Sequence, residues 1–198
     1  MLYAETENGK AKATPGAKGK CPLCGSETIA KCGRIIIWHW AHRAKATCDA
    51  WGEESDWHRE WKGHAPPECC EVTMAPHRAD VRMPDGTVIE FQKSSISVAD
   101  IISRERFYGK MIWVFDAQDW GLRYYTNGKK DRGFIWIYAR KSLEHCLKPI
   151  FFDVGNGKML KIEQLHFLAY RGGWYSPIMK QDFIREQMTP APAQEPAP

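Results

Sequence analysis

Two groups of residues have the types and the spacing to do chemistry. The first lies in His77–Ser97, HRADVRMPDGTVIEFQKSSIS. Strand alternation over His77–Met83 puts Ala79, Val81 and Met83 on one face and Arg78, Asp80 and Arg82 on the other. Pro84-Asp85-Gly86 predicts a turn, because Pro fixes φ, Asp bonds locally and Gly tolerates positive φ. A second arm, Thr87–Gln92, sets Val88, Glu90 and Gln92 against Thr87, Ile89 and Phe91. The hairpin so built gathers Asp80, Glu90 and Gln92 at one end. Two carboxylates from neighbouring strands are the donor set of a hard cation such as Mg²⁺, which completes its shell with water and phosphate oxygens.

The second group suits a softer metal. Cys21-Pro-Leu-Cys24-Gly is a knuckle that points two thiolates at one centre. Ile35–Trp38 predicts a short buried strand, and His39-Trp40-Ala41-His42 follows it. A CxxC and an HxxH separated by 14 residues predict a closed, tetrahedral zinc site of Cys21, Cys24, His39 and His42. Cys48 is the alternative to one histidine, and Cys32, beside Gly33, is a bystander.

The elements that must position these groups follow from the pattern of the chain. Trp51–His64 predicts a helix opened by acidic and capping groups and ended by Pro66-Pro67. Trp57 and Trp61 form its core stripe. Glu54, His58 and Lys62 share another face, either exposed and ion-paired or turned into an active site. Glu68–Met74 predicts a strand beside the hairpin, with Cys69 and Cys70 buried by packing. Val98–Gly109 predicts a helix capped by Ser97, on which Arg104 and Tyr108 share a face that is either solvated or able to meet phosphate. Met111–Phe115 predicts a central strand covered on both sides. Beyond it, strands are expected at 122–125, 134–138, 150–154, 159–162 and 166–170, with short helices near 142–146 and 181–188.

Composition sets the bounds. Hydrophobic residues make up 43% and charged residues 26%, as in ordinary globular chains. The net charge of +4 permits a polyanionic partner without demanding one. No apolar run of about 18 residues exists, which excludes a membrane-spanning helix. The polar, Lys-rich start has no signal-peptide core, so a cytoplasmic location is expected, with the seven cysteines as thiols or metal ligands.

The ordered run CPLCG, KCGRIIIWHWAH, CDAWGEESDWHREWK, HRADV and IEFQKSSIS resembles the competence protein CoiA-like family over roughly residues 20–116. The resemblance implies an α/β fold: a restriction-endonuclease-like αβββαβ core of the PD-(D/E)xK superfamily, preceded by a small zinc-ribbon-like module and followed by a β-rich C-terminal extension. The expected layout is a flexible basic arm over 1–19, the zinc module over 20–50, the nuclease-like core over 51–120, the extension over 121–188 and a disordered tail over 189–198. It further implies a deoxyribonuclease in which Asp80 and Glu90, with Glu54 nearby, hold Mg²⁺ or Mn²⁺. Gln92 stands where the superfamily usually has Lys, so it can orient a water but brings no charge. His58 is a candidate for proton transfer or for a structural role. DNA is the expected partner, and a homodimer is compatible with double-strand cutting. The rival expectations are a catalytically inactive, nuclease-fold DNA-binding accessory protein and a zinc-dependent module with a protein partner.

Overall fold

The computed structural model of the chain describes residues 1–44, 48, 54–127, 131–167 and 171–190. Among these residues it is a mixed α/β structure with two sheets and three α-helices. None of the helices is long and apolar enough to cross a membrane.

The smaller sheet is antiparallel and N-terminal. It contains β1 (Tyr3–Thr6), β2 (Gly9–Lys12), β3 (Lys18–Lys20), β4 (Glu27–Lys31) and β5 (His39–His42), in the order β2-β1-β3-β4-β5. The expected flexible arm over 1–19 is therefore ordered. Its few apolar residues explain the difference: Met1, Leu2, Tyr3, Ala4 and Ala13 are buried, while Lys12 and Lys18 are exposed and Lys10 is half-buried against Cys70. Gly9, at φ 86°, makes the tight turn between the first two strands. The expected strand at Ile35–Trp38 is instead the exposed loop between β4 and β5. Trp40, one residue further into β5, fills the small core, and its indole donates to the Ala11 carbonyl.

The larger sheet has nine strands. Its first part runs α1 (Asp56–Lys62), β6 (Cys70–Met74), β7 (His77–Arg82), β8 (Val88–Gln92), α2 (Val98–Tyr108) and β9 (Met111–Asp116). Ser55 caps α1, so the helix is shorter than Trp51–His64. Glu54 lies just outside it, and the predicted first turn at 51–53 falls outside the described residues. Strands β8 and β9 are parallel, and α2 supplies the crossover that a parallel pair requires. Ser97 and Gly109 bound α2 as expected. Ile101, Arg104, Glu105 and Tyr108 are inside, so the face that Arg104 and Tyr108 share is not solvated, whereas Ile102 and Phe107 are exposed. Glu105 stays inside because it accepts from the Trp113 indole and from the Leu147 and Lys148 amides.

The C-terminal third adds β10 (Leu122–Asn127), β11 (Asp131–Trp136), β12 (Ile150–Asp153), β13 (Lys158–His166), β14 (Gly172–Met179) and α3 (Lys180–Gln187). These strands do not form an appended extension. β12 pairs in parallel with β9, so the order is β10-β11-β14-β13-β12-β9-β8-β7-β6. The last predicted strand, 166–170, is represented only by His166 at the end of β13; residues 168–170 and the predicted tail from 191 onward lie outside the described residues.

Each face of the large sheet has its own core. Trp57, Trp61, Phe91, Val114, Phe151 and Phe183 pack under α1 and α3. Ile101, Trp113, Phe115, Phe134, Trp136 and Phe152 pack on the α2 side. A polar residue, Asp153, sits within the first core. Asp153 Oδ2 accepts from both the Trp57 and Trp61 indoles at 2.9 Å, which sets α1 over the sheet. Asp153→Ala should strand two buried donors and lower stability by about 2–4 kcal/mol, read from urea unfolding.

Candidate functional site

The regular ladder between β7 and β8 covers only Val81↔Ile89 and Arg82↔Val88. Beyond it, side chains replace backbone partners. The Asp80 amide donates to Glu90 Oε1 at 3.1 Å, and the Phe91 amide donates to Asp80 Oδ2 at 3.0 Å. The alternation of β7 breaks at the same point: Val81 and Met83 pack under α1, whereas Ala79 joins the opposite core, against the expectation that all three share a face. On β6, opposite this break, Glu71 takes φ 48°, the left-handed region that non-glycine residues seldom occupy. The irregularity brings carboxylates from three strands to one end of the sheet.

On the α2 side, Glu90 is buried and its second oxygen lies 3.1 Å from an Arg104 guanidinium nitrogen. The same nitrogen is 3.5 Å from Gln92 Oε1. Gln92 donates to the backbone and hydroxyl oxygens of Ser94, each at 3.1 Å, which fixes its amide. Arg104 thus faces inward, onto the acidic pair, and the solvated-face alternative for it falls. Burial, and then the neighbouring Asp80 charge, push the Glu90 carboxyl up to about 8, despite Arg104. A buried carboxyl raised in this way beside a second carboxylate is short of positive charge, which is the electrostatic condition a divalent cation relieves.

On the α1 side, Lys62 is fully buried. Its ammonium lies 2.5 Å from Glu54 Oε1, 2.6 Å from Glu71 Oε1 and 3.7 Å from Asp80 Oδ1. Burial opposes its charge, but Glu54, Glu71 and Asp80 outweigh burial and raise its pKa. Glu54 also meets Arg78 at 3.4 Å and the Met1 amino group at 2.7 Å. Burial would raise the Glu54 carboxyl, yet Lys62, the amino group and Arg78 hold it well below the usual carboxylate range. The Glu54–His58–Lys62 stripe is therefore a buried face, and Glu54 is turned toward Lys62. His58 bonds Ser55 through Nδ1 at 2.9 Å and also contacts the Phe91 backbone. Burial lowers its pKa, against the pull of Asp80.

The zinc motif resolves differently from its sequence pattern. Cys21, Cys24, His42 and Cys48 bring their ligand atoms within 4.8 Å of one another, the only such group among the described residues. Cys21 Sγ and Cys48 Sγ are 3.5 Å apart, and Cys24 Sγ and His42 Nε2 are 3.4 Å apart. Such spacings suit a tetrahedral zinc, whose bond lengths place neighbouring ligands about 3.3–3.8 Å apart. The chemistry of three thiols and an imidazole fits the same ion. His39 does not belong to the set. Residues three apart on a strand point to opposite faces, so an HxxH on β5 cannot present both rings to one centre. The His39 ring instead meets the Ile37 carbonyl at 2.9 Å.

Of the expected site residues, Asp80, Glu90 and Gln92 converge, His58 lies close behind, and Glu54 joins them only through Lys62. Glu71 carried no sequence signal, being a single acid in a β-prone run. Lys62 and Arg104 were visible as members of helix faces, but their burial was not.

Cys48→Ser should abolish stoichiometric zinc binding, whereas His39→Ala should retain it, as measured by metal analysis after gel filtration. Between the free carboxyl value of 4.5 and about 8, folded Glu90 holds a proton that the unfolded chain has released. This contribution is full below pH 4.5 and is lost as pH rises toward 8. Without divalent cations, the urea midpoint should therefore fall over this interval, and less so in Glu90→Gln.

The family model for the competence protein CoiA N-terminal domain matches residues 8–50, and that for the CoiA nuclease-like domain matches residues 65–182. No curated protein and no solved structure matches the chain significantly. The first match spans most of the small sheet and begins inside the supposed arm; the second runs from just after α1 into α3, with Asp80, Glu90, Gln92 and Arg104 inside it. With the nuclease-like match alone spanning more than half of the sequence, the chain belongs to the competence protein CoiA family.

Proposed function

We propose that the chain is a metal-dependent nuclease that hydrolyses DNA phosphodiester bonds. The observation that carries this reading is the meeting of Asp80 and Glu90 at the interrupted β7–β8 ladder of a nuclease-like domain. The succession α1, β6, β7, β8, α2, β9 supports treating this part of the chain as a restriction-endonuclease-like αβββαβ core.

In this reading Asp80 and Glu90 hold Mg²⁺ or Mn²⁺. A bound divalent ion would lower the pKa of a coordinated water and neutralise charge on the scissile phosphate. Glu54 is a positioning residue: it fixes Lys62, whose ammonium in turn faces Asp80. Gln92, held by Ser94, can orient a water without adding charge. The charge that a lysine would bring at position 92 is present beside it as the Arg104 guanidinium. His58, with its Nδ1 taken by Ser55 and its ring held against the Phe91 backbone, is a positioning residue beside Asp80. The Cys₃His zinc would be closed, holding the N-terminal module together rather than offering a catalytic vacancy.

A second reading is a DNA-binding protein without hydrolysis. Its support is the ion pair that already joins Arg104 to Glu90. Incubation of single-stranded, linear and supercoiled DNA with Mg²⁺ or Mn²⁺ separates the two. Cleavage by the wild type should fall about a hundredfold or more in Asp80→Asn and in Glu90→Gln, with zinc content and thermal unfolding preserved. Equal cleavage by both variants contradicts the assignment, and binding without cleavage in any substrate supports the second reading.

A further inference from the structure

The loop between β4 and β5 has properties that the proposed active site does not use. Four consecutive large apolar residues lie on the surface there: Ile35 is 95% exposed, Ile36 50%, Ile37 40% and Trp38 47%. Such a run is expensive to leave in water and does not arise from a shortage of core space, since Trp40 next to it is buried. The loop is held in shape. The Trp38 indole donates to the Gly33 carbonyl at 3.0 Å, and the His39 ring meets the Ile37 carbonyl at 2.9 Å. Its base is closed by the Lys31↔His39 strand pair and, further down the same hairpin, by His42 of the Cys₃His cluster. The apolar tip is thus fixed outward on a short rigid hairpin.

The surroundings of the tip select a partner. Along the sequence no Asp or Glu occurs from Thr28 to Cys48, whereas Lys31 and Arg34 do beside the tip; Arg43, further along, is paired with Glu27 at 2.9 Å. Lys31 and Arg34 are exposed, both on the β4 side of Ile35. Apolar side chains projecting from a basic, acid-free loop match the devices by which proteins wedge open base steps while cations hold the flanking phosphates.

We propose that the Arg34–Trp38 loop is a DNA wedge: Ile35 and Ile36 enter between bases, and Lys31 and Arg34 contact the phosphates beside them. The site would take a duplex next to a single-stranded junction, where unstacking is least costly. This inference rests on the nuclease reading for its choice of DNA over other partners, but it concerns a different surface and can fail separately.

The test uses the full-length, zinc-loaded protein and a junction DNA carrying 2-aminopurine at the last paired position, without Mg²⁺ or Mn²⁺ so that no cleavage occurs. Wild type should raise the fluorescence as the base unstacks. Ile35→Ser/Ile36→Ser should lose that rise and bind about tenfold more weakly, with unchanged zinc content and unfolding. Arg34→Ala should reduce the salt dependence of binding by about one phosphate contact. An equal fluorescence rise in wild type and the double-serine variant overturns the wedge while leaving the nuclease reading intact. A wild type that binds no DNA overturns both. If the isoleucines are instead required for capture by anionic phospholipid vesicles and not for DNA binding, the loop is a membrane contact and the wedge is refuted.

Discussion

The interaction on which the architecture depends is the buried ammonium of Lys62 among Glu54, Glu71 and Asp80. Each partner comes from a different segment: the approach to α1, β6 and β7. Glu71 also accepts the Leu2 and Tyr3 amides at 2.8 and 3.0 Å, and Lys10 donates to the Cys70 carbonyl, so the N-terminal sheet is tied to the same point. A buried ion cluster of this kind is costly unless every member is satisfied, and removing one member leaves a charge of the opposite sign without compensation. The cluster therefore fixes where α1 sits, how β6 and β7 bend, and where Asp80 stands.

The active-site proposal follows from that bend. A regular antiparallel pair would spend the Asp80 and Phe91 amides on backbone carbonyls. Here they are spent on the carboxylates of Glu90 and Asp80, which gathers acidic oxygens at the end of the ladder. Cations flank the pair from both faces of the sheet, Lys62 from α1 and Arg104 from α2. In the proposed active site neutral Gln92 stands at the lysine position that the resemblance implies, and the site still has positive charge beside it, though too little to offset the burial of Glu90. Its cations come from helices instead of from the second strand of the hairpin.

Much of this was legible in the residues. The hairpin, its Pro-Asp-Gly turn, the α2 caps and the apolar β9 follow from local rules of period and turn chemistry, and local rules held there. Failures came where tertiary context decides. The lysine-rich start reads as a tail because only Met1–Ala4 carry apolar weight, yet Leu2 and Tyr3 reach a core shared with α1 while Met1 and Ala4 join the small core around Trp40. The run Ile35–Trp38 reads as a buried strand because hydrophobicity normally implies burial, and it is the exposed tip of a hairpin. HxxH reads as a metal pair because that spacing works on a helix; on β5 it separates the rings, and Cys48 completes the set. The face of Arg104 reads as either solvated or phosphate-facing, and it is instead buried by Glu90, a partner remote in sequence, as Glu105 is by Trp113. Burial of a charge depends on a partner elsewhere in the chain, which no local pattern reports.

Manganese binding tests the central claim most directly. Electron paramagnetic resonance of the zinc-loaded protein titrated with Mn²⁺ reads the Asp80–Glu90 site without requiring substrate. The account predicts one bound Mn²⁺ in the wild type, lost in Asp80→Asn and in Glu90→Gln, with the zinc retained in both. Undiminished Mn²⁺ binding in the two variants, or none in the wild type at millimolar metal, would contradict it.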